Sequence, residues 1–558
     1  LKWSDGNALT AADFKAGMVH DMSPTLCQDD GPYVNPNKSL RGAGCNQSQV
    51  FFLSYIVGAQ DYLTGSNGAK DISGITAVDP QTLSFQLTQP IGFFLGEMAT
   101  MASMPIESSA LKTYPGNTYP LHYTENVSQS GPFRISAWQD PKNPGVKDPQ
   151  HATEIVFVPN PHWWGKPVQL QKVIMPLISD LQAQYDLYTS QQGDRADYVT
   201  VPPHTYPFVQ NLSDFHEVRS LSINFYGLNF ADPPFDNLEV RQAFALGINK
   251  QSLIDTFFQG STSPTNHIIP DGILGFNPSL VTPPDASTGS ASLTGNQLKA
   301  QQLITHVAKG CEQNSSPDWC AYVIGVPGNG ATLAPLSTSS LAANRACPKY
   351  NVLAAPGKDG ALATTQQQVV AWAPSDRQER DLFNQAAVQQ WSNILCLNIV
   401  SNEAIHQPIL AKALINTVYS NPGTGATSPQ ALYTFGGYIA DYPDPQDFTS
   451  NLFAPNNGTN GNNAANFGVK AVASNTGLGA ELDITTQMNT ADAELDPAKR
   501  IQMYQQIEQQ LVFQVAVIPT DQPKLIYRLQ PYVTNFTLPA TGYVSDQSWS
   551  DVFIVAHN

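Results

Sequence analysis

Two spacings of apolar residues alternate along this chain. Every-second-residue spacing, the mark of a strand, runs through 75–87, 131–138, 154–159, 173–177 and 221–230. The first stretch holds two short apolar runs split by Asp79-Pro80, which predicts a hairpin. Gly131-Pro132 leads into the second, and Asn160-Pro161 closes the third. Pro233-Pro234 halts the last, because proline lacks an N–H and fixes its φ. Helical spacing takes over elsewhere. Thr10 and Asp13 resemble a capping box opening a helix through Phe14 and Val19. Asn237 can cap a helix with Val240, Phe244 and Ile248 on one face, and the pattern continues over 252–258. The strongest helix is predicted over 378–395, burying Leu382, Phe383, Ala386, Ala387, Trp391, Ile394 and Leu395, with a strand at 397–400 after it. Asp496-Pro497 starts another through Ile501, Tyr504, Ile507 and Leu511, followed by a strand at 515–518. Residues 282–296 and 456–466, dense in turn formers, read as loops. The whole is an α/β chain with irregular insertions.

Composition narrows what such a chain does. Its 558 residues suffice for two to four domains, and 41% hydrophobic with only 13% charged residues excludes a disordered polyelectrolyte. Formal charge is −17, from 28 Lys and Arg against 45 Asp and Glu, with no basic run; nucleic acid and anionic membrane are unsuited partners. Apolar runs fall short of the roughly 18 residues of a membrane-spanning helix.

Six cysteines, Cys27, Cys45, Cys311, Cys320, Cys347 and Cys396, form no Cys-x-x-Cys pair and have no histidine at metal-ligand spacing. Their even number and short gaps suit disulfides in an oxidising compartment. Cys27–Cys45, Cys311–Cys320 and Cys347–Cys396 are the expected pairs among about 15 connectivities; free thiols are the alternative.

The segment from Tyr438 to Phe453 carries the most chemistry. Asp441 ends an apolar run and precedes Pro443 and Pro445, so a carboxylate stands where a strand stops and the chain turns. Strand ends are where α/β proteins bind ligands; the competing reading makes Asp441, Asp444 and Asp447 plain turn and cap residues. Nucleophile elbows, phosphate-cradling glycine loops and His-Glu-x-x-His helices are absent from the sequence. Gly325 to Gly330 reads as a turn, and His162 beside Trp163-Trp164 as a packed aromatic corner.

Taken in order, several motifs resemble the family 5 extracellular solute-binding proteins, the oligopeptide- and dipeptide-binding components of ABC importers. They are Trp3-Ser-Asp-Gly-Asn-Ala-Leu-Thr-Ala-Ala-Asp-Phe14, Gly131-Pro-Phe133, Val158-Pro-Asn-Pro-His-Trp-Trp164, Phe225-Tyr-Gly-Leu-Asn229, Val240-Arg-Gln-Ala243, the 438–453 segment, Asp496-Pro-Ala-Lys-Arg500 and Val517-Ile-Pro519. Two departures are a long, loop-rich 260–378 and the absence of the family's beginning.

The resemblance implies a periplasmic-binding-protein-like α/β fold with two lobes, a hinge and the three-domain, cluster C architecture, its N-terminal part missing. Residues 1–127 would complete domain II, 128–232 and 526–558 would belong to domain I, and 233–525 to domain III. The missing start would carry an export signal, often a lipid-anchored cysteine, so an extracellular or periplasmic lipoprotein is expected. Peptide would lie in an interlobe cleft and pass to a membrane permease, with no enzyme activity, no cofactor and no metal, from a monomer. Asp441 would compensate the peptide ammonium, because an unpaired buried charge is costly. Tyr438 and Tyr442 would wall the pocket, and Phe225 to Asn229 would offer a strand edge with Asn229 as a polar contact. Arg134, Arg241 and Arg377 are candidates for the peptide carboxylate, each equally readable as a structural ion pair. An oligosaccharide or other small solute on the same scaffold, stacked on Trp163, Trp164, Trp372 or Trp391, remains an alternative, as do a hydrolase and a structural cell-surface protein.

Overall fold

The computed structural model describes residues 1–23, 53–114, 127–143, 145–146, 151–190, 196–282, 285–324, 355–356, 362–374, 378–405, 432–434, 437–455, 463–469 and 476–556. They form two compact units, one of Leu1–Ser220 with Lys524–Asn558, the other of Leu221–Pro523.

In the first unit, α1 (Ala11–Asp21) begins at Thr10, whose backbone N–H and Oγ1 donate to the Asp13 carboxylate at 2.9 and 3.1 Å. β1 (Ile75–Asp79) and β2 (Thr82–Phe85) form the expected hairpin. β3 (Phe133–Gln139), β4 (Glu154–Pro159) and β5 (Val173–Pro176) make an antiparallel three-stranded sheet. After α2 (Leu181–Thr189), β6 (Tyr198–Thr200) and β7 (Phe215–Arg219) both pair with the last residues of the long strand described below. Tyr185, Tyr188, Val199, Val201, Tyr206, Val209 and Ile526 bury one another there.

The second unit is built on β8 (Ser222–Leu228), every residue of which is buried. Asn237 caps α3 (Leu238–Leu246) by accepting from the Glu239 and Val240 N–H groups, as its spacing predicts. Next come α4 (Lys250–Phe258), β9 (Thr262–Pro264), α5 (Gln297–Gln313), β10 (Gln368–Pro374), α6 (Gln378–Leu395) and β11 (Asn398–Ile405). The short strands β12 (Leu432–Tyr433) and β13 (Tyr438–Ile439) follow. The helices α7 (Pro445–Phe448), α8 (Ser450–Phe453), α9 (Leu478–Ala493) and α10 (Pro497–Gln514) lead into β14 (Val517–Leu529). β10 runs parallel to β11 and β12, while β8 pairs antiparallel with β12, β13 and β14. Trp391 of α6 is fully buried against Tyr226 and Phe244, and its indole N–H donates to the Phe244 carbonyl at 2.8 Å.

Two stretches differ from their expected form. The strand expected at 515–518 extends to Leu529 through Pro519 and Pro523, because the register shifts between Pro519 and Asp521. A bulge tolerates a residue without an N–H. The loop expected at 282–296 instead holds a two-residue ladder, Val281–Thr282 with Ser287–Thr288, and a 3-10 helix, Gly289–Thr294. Cys311 and Cys320 are joined, tying the end of α5 to the next turn. Cys396 is disulfide-bonded as well; Cys27, Cys45 and Cys347 lie outside the described residues.

Candidate functional site

The candidate site is the corner where β13 ends. Gly437 enters it at φ +105°, and a Cβ there would collide with the Ile223 carbonyl oxygen. Glycine therefore lets the chain settle onto β8, where Tyr438 pairs with Ile223 and the Ala440 N–H donates to the Leu221 carbonyl at 2.8 Å. Pairing ends at Asp441. Asp444 then caps α7, accepting from the Gln446 N–H at 2.9 Å, with Pro445 in the first helical turn. Its carboxylate also takes two bonds of 2.6 Å from Arg500 of α10. The cap reading of Asp444 holds, and α10 is clamped to the corner.

Asp441 itself is exposed, whereas Asp447, six residues on, is fully buried. The Asp441 N–H donates to Asp447 Oδ2 at 2.8 Å. The Tyr438 hydroxyl lies 2.9 Å from Asp441 Oδ2 and 2.7 Å from Asp447 Oδ1. Asn451 of α8 donates from Nδ2 to that hydroxyl at 2.7 Å and to Asp447 Oδ1 at 3.0 Å. Phe448 meets the Tyr438 ring edge-on at 5.3 Å. Burial, with the nearby Asp441 charge, pushes the Asp447 carboxyl up to about 8. The protein around Asp441 raises its carboxyl too, and burial beside both acids lifts the Tyr438 phenol far above its usual range. Among the described residues, no lysine, arginine or histidine pairs with Asp441 or Asp447.

The other candidate residues are placed as follows. Tyr442 is buried and donates to Gln446 Oε1. Phe225 is buried within β8 opposite Pro519. Asn229 is buried too, its Oδ1 taken by the Ala231 N–H and Asn466 Nδ2 at 3.0 and 2.8 Å. Arg241 is a buried structural cation, bonded to Glu481 at 3.4 Å and to the Phe235 and Gln514 carbonyls. Arg134 lies on β3, and Arg377 is outside the described residues. Trp163 and Trp164 do form an aromatic pair, at 4.8 Å, in the first unit. Asp447 and Asn451 were not singled out for the site by sequence. Their four-residue separation is the one signal that pairs them, although they lie on the successive short helices α7 and α8.

The second unit thus presents, at a strand end, an acid pair that no cation meets among the described residues. The chain belongs to the bacterial extracellular solute-binding proteins of family 5, whose middle-region model matches residues 1–307. It is 25% identical over 281 residues to the oligopeptide-binding protein OppA of Bacillus subtilis, covering 50% of this chain and 45% of that protein. With the dipeptide-binding protein DppE of the same organism it shares 24% over 321 residues, covering 57% and 51%. The chain thus spans about half the length of these curated relatives. Among solved structures, lactococcal OppA complexed with an endogenous peptide in the closed conformation superposes with a TM-score of 0.66, at 19% identity over 99% of this chain and 86% of that one. The Escherichia coli murein tripeptide-binding protein MppA gives 0.64 at 17%, over 100% and 86%. These likenesses show the fold.

Proposed function

We propose that this protein captures peptides outside the cytoplasmic membrane and passes them to the permease of an ABC importer. The observation that carries the reading is the exposed Asp441 carboxylate, which has no cationic partner among the described residues and has a second acid buried behind it. Such a site favours a ligand that brings its own positive charge, and a peptide ammonium does so with three N–H donors. The relatives' names, oligopeptide-binding and dipeptide-binding, support the same ligand class. A binder needs no nucleophile or general base, in keeping with the motifs of the sequence. The three-domain division with boundaries near 127, 232 and 525 belongs to this proposal, and limited proteolysis maps it. So does retention by a lipid anchor.

Native mass spectrometry of the purified chain tests the reading. Carried-over ligand masses forming a peptide ladder are expected; a discrete sugar mass would replace the peptide reading with that of an oligosaccharide binder.

A further inference from the structure

We infer that Asp447 is a positioning residue that couples ligand capture at Asp441 to release of a proton. The inference rests on the proposed ammonium site, and it follows from counting protons around one oxygen. The Tyr438 oxygen has two carboxylate oxygens at 2.9 and 2.7 Å and one amide nitrogen at 2.7 Å. Asn451 brings its own hydrogens. Each of the two oxygen–oxygen contacts needs one proton, and the phenol has one to give. The second proton sits on a carboxyl, so the trio of Tyr438, Asp441 and Asp447 carries a single negative charge before ligand arrives.

Asp447 is the acid that holds it. Its side chain is fully buried, whereas Asp441 is exposed; ionising a buried carboxyl without a cation is the costlier choice. Protonated Asp447 then donates to Tyr438, and Tyr438 donates to Asp441. Among the described residues, the surroundings supply no competing cation. From β8, Ser222 and Ile223 pair with β13 and neither titrates. From α10, Arg500 is engaged by Asp444, and Tyr504 by Asp492, which also accepts from Ser450 of α8.

An ammonium arriving at Asp441 replaces the phenol as donor. Tyr438 turns its proton to Asp447, Asp447 ionises, and its proton leaves to solvent. The site passes from one negative charge to two, offset by the incoming positive charge. Affinity must then rise with pH, approaching about tenfold per pH unit where release is complete, until the ligand amine itself deprotonates near pH 8.

The test is titration calorimetry of the full chain at neutral pH with tri-alanine and penta-alanine, in phosphate and in Tris, whose ionisation enthalpies differ. A buffer-dependent heat corresponding to release of up to about one proton is expected. It should vanish in Asp447→Asn, which keeps the size of the side chain and one acceptor oxygen but cannot ionise. Heats independent of buffer with binding intact overturn the inference while leaving the peptide reading in place. Proton release that persists in Asp447→Asn also overturns it, because the proton then comes from another group. Failure of the wild-type chain to bind either peptide removes both. An infrared difference spectrum of the wild-type chain needs no variant: loss of a protonated-carboxyl band on adding peptide is expected, and its absence overturns the assignment.

Discussion

The backbone N–H of Asp441 donates to the buried carboxyl of Asp447 at 2.8 Å, so the concealed acid fixes the main chain of the exposed one. Asp441 therefore reaches solvent from a held backbone, and little side-chain entropy is lost when it meets a cation. Among the described residues, its carboxylate makes no bond that the fold requires beyond the contact with Tyr438. Asp441→Asn should leave the thermal midpoint nearly unchanged while weakening peptide binding at least about tenfold, roughly 1.4 kcal/mol. Calorimetric titration of both proteins checks it, and equal affinities would place the anchor elsewhere.

Stability should fall as pH rises through neutrality. Burial pushes Asp447 up to about 8 and Asp492 up to about 7. Both lose their protons near pH 3.9 in the unfolded chain. Between those values these two acids keep more protons in the folded state than in the unfolded one, so their contribution to unfolding free energy declines with increasing pH, opposed above about 7 by Lys250, which burial pushes down to about 7. The slope is at most about 1.4 kcal/mol per pH unit for each group. Melting temperatures of the ligand-free chain from about pH 5 to about pH 8 should show the decline. Asp447→Asn should flatten its upper part.

Arg500 and Asp444 join helix α10 to the candidate corner through two parallel bonds of 2.6 Å, and both side chains are largely buried. Removing the guanidinium leaves a helix-capping carboxylate partly buried and unpaired. Arg500→Ala should destabilise the second unit by about 3 kcal/mol. Arg500→Lys should recover only part of this, since an ammonium cannot make the fork. Denaturant midpoints of the three proteins decide it.

Local chemistry made much of the fold legible. Asn237 and Asp496 cap the helices their spacing announces, and Trp391 lies on the face its helical period assigns to the core. What depended on distant partners did not show. Pro519 and Pro523 look like strand breakers until β8 and β9 pair with β14 around a bulge. Alternation in 221–230 does not reveal that every residue of β8 is covered, which leaves Phe225 buried. At the site, Asp441 was marked by the prolines after it. Asp447 was indistinguishable from a turn residue, because its character comes from burial and from the Tyr438 hydroxyl brought to it by β13.

Gly437 tests how that hydroxyl is delivered. The residue precedes Tyr438 at φ +105°, a conformation that side-chain-bearing residues rarely adopt, and a Cβ there would collide with the carbonyl oxygen of Ile223. Alanine there meets two penalties, left-handed strain and a collision with backbone that cannot step aside. β13 pairs with β8 through only two residues, so the strand should lift rather than β8 shift. Tyr438 would then leave Asp447, and Asn451 would lose its phenol acceptor. Gly437→Ala should cost more than about 1 kcal/mol of stability. It should also weaken peptide binding although no ligand-contacting atom has changed. Binding and melting measured together separate this from a local defect: reduced stability with full affinity would mean that Tyr438 does not need its strand to hold the acid pair.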